Sequence, residues 1–595
     1  MLSPETAKRD ALGRERKSGL HPFRIFLAPD NVFGFAGSDF LELAIALLLG
    51  LFLLAFPLLQ KRTLYPQAGF ARRTAWCMLA LFLLPISLRL LLLPRSPVPT
   101  PSGADDFGYL LLSDTLLHGR LANPSHPLHQ FFETNFVIQE PSYSSMFSLG
   151  QGLLLAFGCL LFRNPWAGVL ISIGVFCSLC YWMLRAWASP GWAFVGGVLA
   201  VSIFGPLCYW TNCYWGGAVS ASAGCLVFGA LPRLRDRPNL RNGALLGLGL
   251  SMQLVTRPFE CIFLILSVIF YGAFEYRPSR KWLRPGIAAA LLTAPAVLLI
   301  LVQNKSVTGS WIETPYMLYR YQYGVPTTFT FQHNPIPHRR LTPDQELDYR
   351  AETAIHGEGT DSPQKYAVRL LSRLRFLRFF LFAPLYLAIP VFLVTIRSFR
   401  FLWVLFALAL FALGSNFFPY FYPHYIAAVT CLTVLVAITG LERLTRFKIH
   451  QQSFGAVLVY VILLLCAGHF LFGYGMHAFA NQSLLAQISN YEAWEFINYG
   501  DPEHRIAINR QLAQTPGKQL VLVRYGPQHG FHQWIHNAAD IDGSQIVWAR
   551  DLGPIENEKL LQYCDGRRIW LLEPDARVPR LIPYQSVVKS FEPVP

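Results

Sequence analysis

Apolar runs of about 20 residues recur between residues 38 and 473 of this 595-residue chain, and short basic clusters separate many of them. Runs of that length constrain the fold more than any motif. Backbone inside a bilayer must satisfy its own hydrogen bonds, so each run has to become a helix. Twelve crossings are expected, near 38–60, 75–94, 165–187, 191–210, 214–232, 242–258, 260–275, 286–303, 376–397, 401–418, 422–440 and 454–473. Only 14% of residues are charged, well below the share in soluble proteins. The net charge of +15 sits between the runs rather than on a basic face, which argues for membrane orientation and against nucleic-acid binding.

A thirteenth run, 147–163, is short. The basic clusters Lys61/Arg62/Arg72/Arg73, Arg233/Arg235/Arg237/Arg241, Arg277/Arg280/Lys281/Arg284, Arg397/Arg400 and Arg443/Arg446/Lys448 fall on one side only if this run is re-entrant or interfacial. The loops 95–146 and 304–375 and the C-terminal region then share the opposite, extracytoplasmic side. The basic N-terminal segment, with Lys8, Arg9, Arg14, Arg16 and Lys17, conflicts with this scheme, since it too would lie outside. That segment has no apolar core of a cleavable signal peptide. The expected organisation is a polar segment 1–37, an all-α polytopic domain 38–474 of about 11–13 transmembrane or re-entrant helices, and a small extracytoplasmic α/β domain 475–595.

The first external loop carries the most suggestive chemistry. Pro94-Arg-Ser-Pro-Val-Pro-Thr-Pro101 leads to Gly103-Ala-Asp-Asp-Phe-Gly-Tyr109, which opens an amphipathic helix ending near Gly119. One carboxylate suffices for a cap, so Asp105 and Asp106 are candidate catalytic residues. Further along, His126, His129 and Glu133 could share one helical face, either as metal ligands or, far more commonly, as rims of a polar pocket. Cys177-Ser-Leu-Cys180 lies within a membrane run, where helix packing explains it better than redox or metal chemistry.

Ionisable groups within membrane runs are costly, which draws attention to Arg257-Pro-Phe-Glu260, either a mutual pair or two charges presented to a cavity. The link Tyr209-Trp-Thr-Asn-Cys-Tyr-Trp-Gly-Gly217 is an interfacial belt or a platform for a sugar ring. Phe417-Phe-Pro-Tyr-Phe-Tyr-Pro-His-Tyr425 opens to the same side. The tyrosine-rich stretch after Glu313 could line a groove, whereas the acidic half of that loop, with Asp344, Glu346 and Asp348, reads as a solvated helix. Candidate substrate contacts are Tyr109, His126, Tyr214, Trp215, Arg257, Glu260, Tyr316, His424 and Tyr425; no metal ligand set or cofactor is expected. Beyond 475, Gln519–Tyr525, Gln545–Ala549 and Arg568–Leu572 read as buried strands with a helix at Glu556–Tyr563, a parallel α/β layer suited to partner or acceptor binding.

An acidic pair in the first external loop, a re-entrant helix and many crossings together resemble the GT-C glycosyltransferases. The bacterial branch related to protein O-mannosyltransferases and lipid A aminoarabinose transferases is the most similar. Asp105-Asp106-Phe-Gly-Tyr-Leu-Leu, His118-Gly-Arg-Leu-Ala-Asn-Pro124, Gln139-Glu-Pro-Ser-Tyr143, Tyr214-Trp-Gly-Gly217, Arg257-Pro-Phe-Glu260 and Val523-Arg-Tyr-Gly-Pro527 carry the resemblance to an uncharacterised set of large bacterial membrane proteins. It implies a multi-pass protein of the bacterial inner membrane, with Asp105 as the catalytic aspartate. The reaction implied is inverting transfer of a sugar from a polyprenyl-phosphate donor to an extracytoplasmic glycan, lipid or protein acceptor, without a metal. Two departures stand out. Asp106 replaces the usual Glu, and Ser145-Met-Phe-Ser-Leu-Gly150 lacks the Lys and consecutive prolines that open the family's re-entrant helix. Contact with the lipid phosphate would then pass to Arg257 or His424. The alternatives are a non-catalytic binder or transporter of lipid-linked glycans and a structural subunit of an envelope-glycan assembly.

Overall fold

The computed structural model describes residues 34–35, 37–53, 68–275, 280–325, 329–357, 359–448, 453–481, 504–527, 529 and 532–584. Most of the N-terminal polar segment, including its five basic residues, lies outside them, as do the end of the first run, Lys61, Arg62 and Arg277.

Among the described residues, six helices are long and apolar enough to cross a membrane: Thr74–Leu91, Pro165–Leu184, Pro258–Glu275, Arg280–Thr308, Pro423–Leu444 and Phe454–Phe479. Shorter apolar helices at Pro190–Phe204 and Phe399–Ser415 pack among them. Large apolar side chains such as Leu291, Leu298, Leu471 and Phe479 remain exposed on their outer faces, which suits lipid rather than water. The chain is a multi-pass integral membrane protein.

Polar contacts divide the bundle into two ends. At one, Arg185 donates to the Ala71 carbonyl (3.1 Å), Arg233 to Trp182 O (2.8 Å), Arg400 to Ala186 O (3.2 Å) and Arg443 to Thr395 Oγ1 (2.7 Å), while Arg235 pairs with Glu275 (3.2 Å). At the other, Arg89 holds Asn212, Gln303 Nε2 donates to Phe147 O and Arg373 holds the Ser415 carbonyl. Successive helices alternate between these ends, so the basic clusters gather opposite the acidic helix.

The run 147–163 becomes the helix Leu149–Phe162, whose 14 residues rise about 21 Å and fall short of a hydrocarbon core of about 30 Å. Both its ends belong to the acidic end of the bundle. Gln151 in its first turn donates to Tyr214 O (2.8 Å), and Trp166, just past its end, donates to Thr211 O (2.8 Å). The reversal is made by Arg163 in the left-handed region (φ 52°) and by Asn164, whose side chain accepts from the Trp166 amide to cap the next helix. A helix that starts and ends on one side does not cross, and is re-entrant or interfacial.

The expected run 376–397 is not one continuous helix. The segment Pro363–Phe380 lies at 113° to Ala383–Thr395, with the break at Leu381–Phe382. Arg373 and Arg378 cause this. They bind groups at the acidic end (Arg378 Nε to Asp39 Oδ2, 2.8 Å), so the chain must stay at that end until the break.

A four-stranded sheet forms the C-terminal unit in the order Ile546–Arg550, Gln519–Val523, Arg568–Glu573, Arg580–Pro583. The first three strands are parallel and the fourth, which the sequence pattern does not reveal, is antiparallel. Leu520, Leu522 and Leu571 of this sheet share one core with Leu111, Phe131, Phe132 and Tyr143 of the first loop. The C-terminal unit is therefore packed on the acidic helix.

Close helix packing depends on Gly224, where an added Cβ would overlap the carbonyl of Ala428. Backbone cannot move aside as a side chain can. Gly224→Val is expected to cost about 1–3 kcal/mol by overpacking, measured as a lowered Tm in detergent.

Candidate functional site

The acidic helix Ala104–Leu117 is entered through a chain segment held by Arg89. That guanidinium, 1% exposed, donates to Ser96 O (2.9 Å), Pro97 O (2.9 Å) and Asn212 Oδ1 (2.8 Å), and lies over the Trp166 ring. The prolines of 94–101 offer carbonyls but no donors, and a planar five-donor group satisfies them. A lone arginine in the last turn of an apolar run was the available sequence signal for this role.

Asp106 and Asp105 sit differently. Asp106 is buried and accepts three backbone N–H bonds: Oδ2 from Ser102 (3.2 Å) and Gly103 (3.3 Å), and Oδ1 from Tyr214 (3.0 Å). Burial raises its pKa and these three bonds oppose the rise. Asp105, half-buried and about 100° round the helix, makes no side-chain hydrogen bond to another described residue. Desolvation, then the charges of Asp106 and Asp348, push its pKa up to about 7, against the pull of Arg257.

Arg257 ends one helix beside Asp105. It pairs with Glu260 Oε1 at 3.2 Å and lies 4.7 Å from the centre of the Tyr425 ring, so the mutual pairing considered from sequence is present. Tyr109 stacks on Phe147 at 4.2 Å and interacts electrostatically with both Asp105 and Arg257; burial pushes its hydroxyl pKa up to about 12. Tyr316, on Pro315–Tyr323, lies within electrostatic reach of Tyr425. His424 accepts or donates through Nδ1 to the Tyr209 hydroxyl (3.0 Å), with the Trp215 ring 4.9 Å away. Asp105, Arg257, Glu260, Tyr109, Tyr316, His424, Trp215 and Tyr425 thus share one neighbourhood at the acidic end.

Tyr214 and His126 serve elsewhere. The Tyr214 hydroxyl donates to Pro99 O (2.9 Å), its amide to Asp106 and its carbonyl accepts from Gln151, so the residue is a tie between loops. His126 lies at the C-terminal unit, 3.3 Å from Asp542 and between the Phe132 and Tyr563 rings. The shared helical face expected for His126, His129 and Glu133 does not form, because only His129–Phe131 makes a short 3-10 turn. Glu133 binds Arg339 (2.6 Å) and Tyr323 (2.7 Å) and still meets His129 (3.8 Å), while His126 lies apart. Among the described residues no cluster of three His, Cys, Asp or Glu side chains is arranged to hold a metal.

The acidic half of the second loop departs from the solvated helix expected. In Pro343–His356, Asp344 and Asp348 are buried, and Asp344 pairs with Arg550 of the C-terminal unit at 2.6 Å. Asp348 and Glu352, one turn apart, reach toward Asp105. Burial and their neighbouring carboxylates raise the pKa of both. The C-terminal unit also touches the acidic helix directly. The Gln533 amide donates to Ser102 O (3.1 Å), Ala539 N to Asp114 Oδ2 (2.6 Å), and His536 stacks on Phe107 at 4.1 Å. Burial, then Arg505, hold His536 down to about 3, so it is neutral. Arg505 lies over Phe107 at 5.1 Å and within electrostatic reach of Asp106.

No protein-family model matches this sequence, and no curated protein matches it. Among solved structures, the crystal structure of ArnT from Cupriavidus metallidurans in the apo state is similar at 13% identity and a TM-score of 0.45, over 84% of this chain and 93% of that one. The form bound to undecaprenyl phosphate gives 12%, 0.45, 85% and 93%. The archaeal oligosaccharyltransferase AglB from Archaeoglobus fulgidus, in complex with an inhibitory peptide and a dolichol-phosphate, gives 11%, 0.39, 84% and 69%. At such scores the likeness specifies neither activity nor substrate.

The two aspartates should separate in stability measurements. Asp106→Asn turns an NH2 toward backbone donors and is expected to cost about 1–3 kcal/mol. Asp105→Asn removes a carboxyl whose folded pKa lies above its unfolded value. Through this group wild type loses stability as pH rises from about 4 to 7, and Asp105→Asn should lose less, the remainder coming from Asp348 and Glu352. Unfolding midpoints at pH 4 and pH 8 for the three proteins check both statements.

Proposed function

We propose that this protein is an inverting glycosyltransferase that moves a sugar from a polyprenyl-phosphate donor to an extracytoplasmic acceptor. In this reading the acidic end of the bundle faces the outer side of the bacterial inner membrane, and the donor reaches it through the bilayer. The supporting observation is the contrast within the acidic pair: Asp106 is consumed by three backbone donors, while Asp105 keeps a free carboxylate of near-neutral pKa beside Arg257.

Asp105 takes the proton of the acceptor hydroxyl as its oxygen attacks the anomeric carbon, and the bond from that carbon to the phosphate oxygen breaks. The leaving group departs as a phosphate anion and needs no general acid, so one carboxylate suffices. Arg257 supplies the positive charge opposite the developing anion, a role left open by the missing lysine at 145–150. Tyr109, Tyr316 and Tyr425 line the sugar-binding wall; Trp215 and His424 stand behind it. Asp106 and Tyr214 hold the geometry. His126 belongs to the contact with the C-terminal unit, where the acceptor would be received.

A second reading, a binder of lipid-linked glycans without transfer, draws on Glu260, which already engages Arg257. Purified protein in proteoliposomes with radiolabelled polyprenyl-phosphate sugars distinguishes them. Transfer requires release of the polyprenyl phosphate; binding without release supports the second reading. Asp105→Asn is expected to lower the rate by about 10²–10⁴-fold with the protein still folded. Since the base must be ionised, kcat/KM should rise with pH through an apparent pKa near 7, and a flat profile from pH 5 to 9 would remove Asp105 from this role.

A further inference from the structure

The helix Pro363–Arg373 is built inside out. Its inward face carries arginines. Arg369 binds Asp361 (2.6 Å) and donates to Asn416 O (2.8 Å), while Arg373, buried, donates to the carbonyls of Ser415 (2.8 Å) and Phe418 and lies over the Phe421 ring. Its outward face carries Ala367, Val368 and Leu371, with Val368 62% and Leu371 53% exposed. Leu377 continues the same exposed apolar line. Water does not favour such a face, and no other described element covers it.

Its surroundings identify what does. Tyr366 binds the Leu413 carbonyl, at the end of Phe399–Ser415, where Leu413 and Phe417 are themselves exposed and apolar. Beyond the 113° bend, Leu393 and Val394 continue the exposed apolar surface along Ala383–Thr395. The Val368 and Leu371 face is thus continuous with the lipid-facing surface of the bundle. Lys365 and Arg375 flank it with cations suited to anionic head groups.

We infer that Pro363–Arg373 is an interfacial helix seated in the lipid surface on Val368 and Leu371, and that its arginines tie the strap 415–421 to the bilayer. The strap leads directly to His424 and Tyr425, and Tyr420 in it donates its hydroxyl to the Glu352 carbonyl (3.1 Å). Bilayer depth would then fix the height of the aromatic wall. The inference concerns position in the membrane and does not depend on the proposed transfer.

The test uses full-length protein in phosphatidylethanolamine/phosphatidylglycerol vesicles, with Cys159→Ser and Cys564→Ser removing the partly exposed thiols. Nitroxide labels are placed in separate Val368→Cys, Leu371→Cys and Lys559→Cys variants. Lys559, on the C-terminal unit, is the aqueous reference. Collision with oxygen several-fold above collision with a water-soluble nickel chelate is expected at 368 and 371, and the reverse at 559. Nickel access at 368 and 371 equal to that at 559 would overturn the inference. So would protection from both quenchers, which would mean that protein covers this face. Agreement between two independently labelled positions guards against local misfolding at either.

Discussion

Three backbone N–H groups converging on the Asp106 carboxylate hold the acidic end together. Two come from the turn before the helix and the third from Tyr214, 108 residues later. Charge-assisted bonds of this kind are about twice as strong as neutral ones. They also fix direction. With Asp106 turned toward the 205–217 link, the helical step of about 100° points Asp105 elsewhere, toward Arg257 and the second loop. Two adjacent carboxylates acquire different environments from one anchoring contact.

The C-terminal unit completes that anchoring. Its sheet contributes to the core under the first loop, the Gln533 and Ala539 amides bind groups at both ends of the acidic helix, and Arg550 reaches Asp344 in the second loop. A buried ion pair such as Arg550–Asp344 adds little net stability over an apolar contact, but breaking one side strands a charge. Its effect is to fix how the two loops meet.

Much of this architecture was legible in the sequence because the bilayer imposes a strong pattern. Run length located the helices, and the sidedness of arginine clusters marked 147–163 as a run that does not cross, re-entrant or interfacial. The Asp105 and Arg257 motifs were assigned to the same side, and the structure brings them within electrostatic reach. What could not be read depends on docking between distant segments. Thr342 and Gln345 form a capping box, and with Asp344 and Glu346 they give Pro343–His356 the look of a solvated helix. Nothing local says that Asp348 and Glu352 will face the site. Likewise the break at 381–382 arises because Arg373 and Arg378 bind partners far away in sequence. The roles of Tyr214 and His126 were hidden for the same reason, since each is defined by a contact more than 100 residues distant along the chain.

The carboxylates around Asp105 also bear on how its basicity is set. Asp105 and Asp106 come from the first loop, Asp348 and Glu352 from the second, and Arg257 from a helix end. Like charges brought this close cannot all ionise in a desolvated place, so a proton is retained among them near neutral pH. The pKa of Asp105 then depends on whether Pro343–His356 is docked. If that helix moved away, Asp105 would lose a repulsive neighbour and gain water, and both changes would return it toward an ordinary, weakly basic carboxylate. Docking of the second loop, held by Arg550 on one side and by the Tyr420 strap on the other, is therefore part of what raises the pKa of Asp105.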